Sequence, residues 1–230
     1  MRKFLSILAL AALAGAASAE PRSVTGFDNV NASGRFHVEI AVGAAHTITV
    51  EGPDAARIIT RRDGDTLKIE PRDRPWFGGE PRYDALVRVT LPRFEGVAAA
   101  RGAQVNATGG GSCTSFDAVA AMGANLVVRE LYCGHVDASA AMGGVAELIG
   151  GCRTLDVSAA MGGTVHAEAL HCETVDASAA MGGEIKAFAE TSYDASAAMG
   201  GDVDIRGGGR AADRSTALGG SVNERPHPLP

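Results

Sequence analysis

Aspartate recurs at Asp117, Asp137, Asp156, Asp176, Asp194 and Asp213, and serine stands two residues after five of these, at Ser139, Ser158, Ser178, Ser196 and Ser215. A line of carboxylates could do one of two things. Hard oxygen ligands suit Ca2+, which takes about six to eight of them. Bare carboxylates at a strand spacing of about 4.8 Å instead repel by about 1 kcal/mol per neighbouring pair in water, and by more when partly buried. The row must therefore face water or hold cations. The Gly-rich nonapeptide of calcium-binding β-rolls is absent, so the preferred reading is a solvated face closed by Asp–Ser hydrogen bonds. Ca2+ is the one cofactor left open.

Sulfur forms two further rows. Cys113, Cys133, Cys152 and Cys172 recur at steps of 20, 19 and 20. Neighbouring coils bring Cα atoms within disulfide range, so an exported chain would pair Cys113 with Cys133 and Cys152 with Cys172. The competing reading is a stacked row of free, apolar thiols. A zinc site made of the four cysteines is not expected, because a ladder spreads its outer sulfurs over about 15 Å instead of converging them. The methionines Met122, Met142, Met161, Met181 and Met199, with Leu218 in the same register, could as thioethers hold copper(I). Their preferred reading is packing inside a corner.

Catalysis finds little support. His135, His166 and His171 fall in different registers, no Gly-x-Ser-x-Gly motif occurs, and the aspartates form a uniform row where a glycosidase sets two carboxylates apart at one place. No catalytic residue and no metal site is assigned.

The elements that position these rows follow from a repeat. Asp-Ala-Ser-Ala-Ala-Met-Gly-Gly runs from Asp137, Asp176 and Asp194, and from Asp156 with a single change at Val157. Weaker copies start at Asp117 and Asp213, and the Met/Leu position advances by 20, 19, 20, 18 and 19 residues. Polar and small residues alternate through the motif, the period of a strand with one buried face. The Gly-Gly pair marks a corner, and a second alternation follows it, as at Leu126 and Val128 or Ile185 and Ala187. Units this short, without the leucine pattern of leucine-rich repeats, predict a parallel β-helix with coils of 19–20 residues. That accounts for the composition: 42 Ala and 30 Gly with only 5% aromatics would fill an ordinary core poorly, yet they suit thin stacked coils.

Residues 96–223 carry the repeat, and residues 20–95 are expected to form an irregular, strand-rich beginning of the same domain. Phe36–Val42, Thr47–Glu51, Thr66–Glu70 and Leu86–Leu91 alternate, and Arg72–Arg82 reads as a loop. Residues 224–230, with three prolines, read as a flexible tail. Residues 1–19 have Arg2 and Lys3, an apolar run from Phe4 to Leu13, and Ala17-Ser18-Ala19 before Glu20, the layout of a secretory signal peptide. The apolar run is too short to span a membrane.

The strand pattern from Val24 to Val30, then Phe36 to Ile40, Asp65 to Ile69 and Val87 to Val97, followed by the Gly-bearing repeats, resembles the head GIN domain family of auto-transporter adhesins over essentially the whole mature chain. The resemblance implies an exported right-handed β-helix, without an established enzymatic activity, in an adhesive or surface role at the periplasm or cell exterior.

Charge narrows the partners. Loss of Arg2 and Lys3 with the leader leaves 19 basic residues against 27 acidic ones, a net charge of −8. The excess lies in residues 116–222, with 14 acids and 6 bases, so nucleic acid is not an expected partner. The expected function is a non-catalytic envelope or surface module that binds a polysaccharide or a surface protein. The alternatives are a carbohydrate hydrolase or lyase using aspartates of the row, and a self-assembling structural protein.

Overall fold

A computed structural model describes residues 20–73, 81–109 and 112–226; the leader, most of the Arg72–Arg82 loop and residues 227–230 lie outside the described residues. The chain is a β-solenoid. Its N-terminal strands are β1 (Glu20–Pro21), β2 (Asn29–Ser33), β3 (Arg35–Val42), β4 (Thr47–Glu51), β5 (Ile58–Asp63), β6 (Thr66–Pro71) and β7 (Arg82–Leu91). The repeat follows in β8 (Gly96–Ala100), β9 (Gln104–Thr108), β10 (Ser112–Ala121), β11 (Asn125–Ala141), β12 (Val145–Ala160), β13 (Thr164–Ala180), β14 (Glu184–Ala198), β15 (Asp202–Gly207), β16 (Arg210–Ala217) and β17 (Ser221–Pro226).

Each coil has three sides. On the first side, Asp117–Ala121, Asp137–Ala141 and their equivalents stack in parallel and in register. The second side begins after the Met-Gly-Gly corner, and the third runs back towards the next Asp without a reverse turn. For that reason β11 to β14 are single strands of 15–17 residues.

The corner is a tight turn of one type repeated. Met142 and Gly143 have φ of 52° and 74°, and the Gly144 N–H donates to the Ala141 carbonyl at 3.0 Å. Positive φ at both central residues with that closing bond is the type I′ arrangement. The second glycine of each pair answers a different need. A Cβ on Gly144, Gly163, Gly183, Gly201 or Gly220 would collide with the backbone of the preceding coil.

The methionines correct the expectation of corner packing. As first central residues of these turns they point outward, and Met122 to Met199 are 46–49% exposed. The interior is built without them. Val136, Leu155, Val175 and Tyr193 stack in one row, and Leu126, Ala146, Val165, Ile185 and Val203 in another, all of them buried. Large and small residues compensate within a coil, as where Ala146 is followed by Leu148, and close packing is kept without aromatic bulk.

Both ends of the stack are closed differently from its middle. At the start β4 runs antiparallel to β7, and β5 antiparallel to β6. At the other end inward positions of β16 hold Arg214 and Thr216 where the preceding coil has Ala195 and Ala197. Arg214 reaches across the open end to the Val222 carbonyl and lies 3.8 Å from Glu224, which also accepts a hydrogen bond from the Tyr193 hydroxyl. Burial and the Glu224 carboxylate push the Tyr193 phenol up to about 12. An inward-pointing charge on an end strand disfavours addition of a further coil. β17 extends to Pro226, three residues into the stretch expected to be a flexible tail. Pairing with β15 and the ion pair of Arg225 with Asp204 at 3.1 Å hold it there.

Candidate binding face

Alternation sends the Asp and Ser side chains outward while Ala138 and Ala140 and their equivalents point in, so all six aspartates form one exposed file along the first side. The serines stand beside them in a parallel file. Among the described residues the two files are not joined by Asp–Ser hydrogen bonds; the bond that forms is between Ser196 and Ser178, at 3.2 Å. The expectation of such bonds fails because Asp and Ser two apart on one strand stand side by side, farther apart than residues facing each other across coils. Nor, among the described residues, do three or more His, Cys, Asp or Glu side chains converge on a point that could hold a metal ion.

Burial and then crowding act on two carboxyls of the file. Partial burial, then the neighbouring Asp117 and Asp156 charges, raise the Asp137 carboxyl above its ordinary value, with His135 opposing. Burial, Asp156 and Asp194 do the same to Asp176. A carboxyl raised in the folded state contributes stability below its unfolded value of 3.8 and loses it as pH rises through the folded value. Asp137→Asn with Asp176→Asn is therefore expected to stabilise the fold at pH 7 by about 0.5–2 kcal/mol, the cost of like charges facing each other across strands. Thermal melts should show a gain at pH 7 that disappears at pH 3 and shrinks in high salt. An unchanged or lower melting temperature at pH 7 would contradict it.

The third side is different in kind. One file on it runs through Ser112, Tyr132, Gly151 and His171, the residues immediately before the four cysteines, and continues to Phe188 and Arg206. The residues of this file differ from coil to coil. Tyr132 is 56% exposed, and its ring leans over Gly151, where a Cβ would stand 3.7 Å from Cδ1. The next two members stack on each other, with His171 and Phe188 ring centroids 4.3 Å apart and tilted by 31°. Beside this file His135 Nδ1 lies 2.8 Å from the Thr154 hydroxyl and Nε2 lies 3.8 Å from Asp156.

Below the file are the cysteines. The structure joins Cys113 to Cys133 and Cys152 to Cys172, each pair with Cα atoms 4.5 Å apart. The side chains of Cys133 and Cys172 are buried. Two clips thus tie four successive coils directly beneath the aromatic file.

The same side carries two hollows. The chain enters β8 directly through Pro92-Arg93-Phe94-Glu95, so the third side has no strand there and a step is left beside β10. A cavity of ≈ 590 Å3 fills that step, lined by Arg93, Glu95, Asp117, Glu130 and Tyr132 among others. Its floor is the edge-to-face pair Phe94–Phe116, 5.0 Å between centroids. Arg93 is held by Asp28 at 2.7 Å. An open groove of ≈ 740 Å3 continues past Tyr132 along His135, Arg153, Thr154 and Glu173. Tyr132 lines both hollows, together with Ser112, Cys113 and Thr114.

These features define a class: an all-β solenoid with a repetitive carboxylate side and a grooved, aromatic side. Residues 26–209 match the family described as "Putative auto-transporter adhesin, head GIN domain", and the chain belongs to that family. Among solved structures it is similar to a putative adhesin from Bacteroides fragilis, at 17% identity and TM-score 0.77, with 92% of this chain and 98% of that one covered. It is also similar to a putative adhesin from Parabacteroides distasonis, at 16% identity and TM-score 0.67 over the same shares of the two chains. A third structure, named a putative lipid binding protein and also from Parabacteroides distasonis, aligns at 17% identity and TM-score 0.60, again over 92% and 98%. No curated protein matches. Identities this low show the shared fold.

Proposed function

We propose that this chain is an exported surface module that binds a polysaccharide along its third side without cleaving it. One observation carries the reading: on the third side an exposed tyrosine lines both of two hollows that also hold charged and hydroxyl-bearing side chains. A sugar ring presents apolar C–H faces and a rim of hydroxyls. The Tyr132 ring suits the former, while the carboxylates of Glu95 and Glu173, the Arg93 and Arg153 guanidiniums and the Thr154 hydroxyl suit the latter. A linear glycan also matches a groove that runs across successive coils.

Export is supported by the leader pattern, by two disulfides in a chain with no free cysteine among the described residues, and by the family. Among those residues no helix is long and apolar enough to cross a membrane. A hydrolase or lyase is less well supported, because the two aspartates with raised carboxyl pKa values, Asp137 and Asp176, line neither hollow.

The test is a panel of envelope polysaccharides presented to the chain from Glu20, scored for retention and for released product. Retention without product is expected. Tyr132→Ala should weaken it by about tenfold to a hundredfold, the range of an aromatic anchor, whereas Ser158→Ala on the first side should leave it unchanged. Product release would establish the enzymatic alternative, and retention indifferent to Tyr132 would move the site elsewhere.

A further inference from the structure

The methionine file has no role in the core and none in the proposed glycan site. We propose that it is a binding site for a soft monovalent cation, copper(I), held between thioethers of neighbouring coils.

The placement of these residues needs an explanation. Met122, Met142, Met161, Met181 and Met199 have φ of 50–53°, a left-handed conformation that costs an L-residue about 1–2 kcal/mol and that Gly, Asn or Asp adopt more easily. Each leaves about half of an apolar side chain in water. Neither turn geometry nor burial therefore calls for methionine, and the positions just past the corner, exposed Asn125 and half-buried Val145, Thr164, Glu184 and Asp202, vary freely. What the five residues share is sulfur at a fixed spacing.

The frame that sets the spacing is rigid. Gly123 N–H donates to the Met142 carbonyl at 3.1 Å, and Gly162 and Gly182 donate to Met181 and Met199 at 3.2 Å. The corners are thus bonded coil to coil, at a pitch of about 4.8 Å. Two sulfurs on opposite sides of one metal ion, at about 2.3 Å each as in other first-row metal–sulfur bonds, are about 4.6 Å apart. Pitch and span agree, and the unbranched side chain of methionine takes up the remainder.

The donor set also selects the ion. Thioethers are soft and neutral, and they favour Cu(I) over the Ca2+, Mg2+ and Mn2+ that oxygen ligands take. They carry no proton to displace, so binding should not weaken at mildly acidic pH as it does at Cys or His sites. The cysteines, tied as disulfides, offer no thiolate to compete. Leu218 closes the file with the same turn, at φ 49° and 80% exposed, and shows that the corner accepts leucine.

The test uses the chain from Glu20, labelled with 13C at the methionine methyls and titrated with Ag(I), a redox-inert stand-in for Cu(I). The expected result is a shift of the corner methyl signals, saturating at one or two ions per chain, alike at pH 5 and pH 7 and absent with Ca2+. The variant Met142→Leu, Met161→Leu, Met181→Leu should keep the parent's melting temperature and bind Ag(I) about a hundredfold more weakly. Silent methyl signals in the parent, or equal affinity in the folded variant, would overturn the assignment. Glycan retention by that variant should equal the parent's, so this result and the polysaccharide reading stand or fall separately.

Discussion

Gly163→Ala is expected to destabilise the solenoid by about 3 kcal/mol or more, and its neighbour Gly162→Ala by only about 1 kcal/mol. The two glycines are adjacent and look equivalent in the repeat. They are not equivalent in space. A Cβ on Gly162 would meet nothing within 4 Å and would suffer only from a φ of 73°, whereas a Cβ on Gly163 would overlap the Ala140 carbonyl and stand 2.7 Å from the Ala141 nitrogen. Those are backbone atoms of the preceding coil, already engaged in the first-side ladder and unable to swing aside as a side-chain end would. Relief requires the coils to part, which breaks the stack at its middle. For a domain of this size the melting temperature should fall by about 6–12 °C for Gly163→Ala and by a few degrees for Gly162→Ala. Equal melting temperatures for the two variants would show that close coil contact does not govern the second glycine.

Removal of both disulfides, as Cys113→Ala, Cys133→Ala, Cys152→Ala and Cys172→Ala together, is expected to lower stability by about 4–8 kcal/mol. Each bridge spans 20 residues, and closing a loop of that length removes about 3 kcal/mol of unfolded-chain entropy. Parallel coils profit from such clips, because every contact they make is distant in sequence and must be assembled against loop entropy. Melts of the parent with and without reductant, and of the quadruple variant, would measure the effect, and peptide mapping of the oxidised parent would read the pairing. A chain whose melting temperature ignores reductant would owe nothing to the bridges. The clips lie beneath the aromatic file, so glycan retention should also fall in the quadruple variant at temperatures where it remains folded.

Much of the architecture is legible in the chain because a solenoid writes its periodicity directly. The 18–20-residue step predicts coils, the Asp-x-Ser-x-Ala alternation predicts which atoms face in, and Gly-Gly predicts the corner. The methionines escape a reading from sequence for a physical reason. Hydrophobicity suggests burial, but the first central position of a type I′ turn points away from the coil, and only backbone dihedrals reveal which residue of Ala-Met-Gly-Gly occupies it. The Asp–Ser bonds fail similarly, since closeness in sequence along a strand is not closeness of side chains.

The aromatic side is harder to see. Tyr132, His171 and Phe188 are ordinary residues one at a time, and the usable signal is that Ser112, Tyr132, Gly151 and His171 each precede a cysteine of the sulfur row. The Phe94 step that opens the cavity leaves no trace in composition, because it arises where an irregular coil meets a regular one.

Sequence alone thus determined the repeat, the coil length, the inward and outward faces and the family, all consequences of local alternation and turn chemistry acting on neighbouring residues. Tertiary structure decided which side gathers the aromatic rings, where the hollows open and that the thioethers face water. Those properties depend on residues about 20 positions apart coming into register, and on the direction in which each corner turns its side chain.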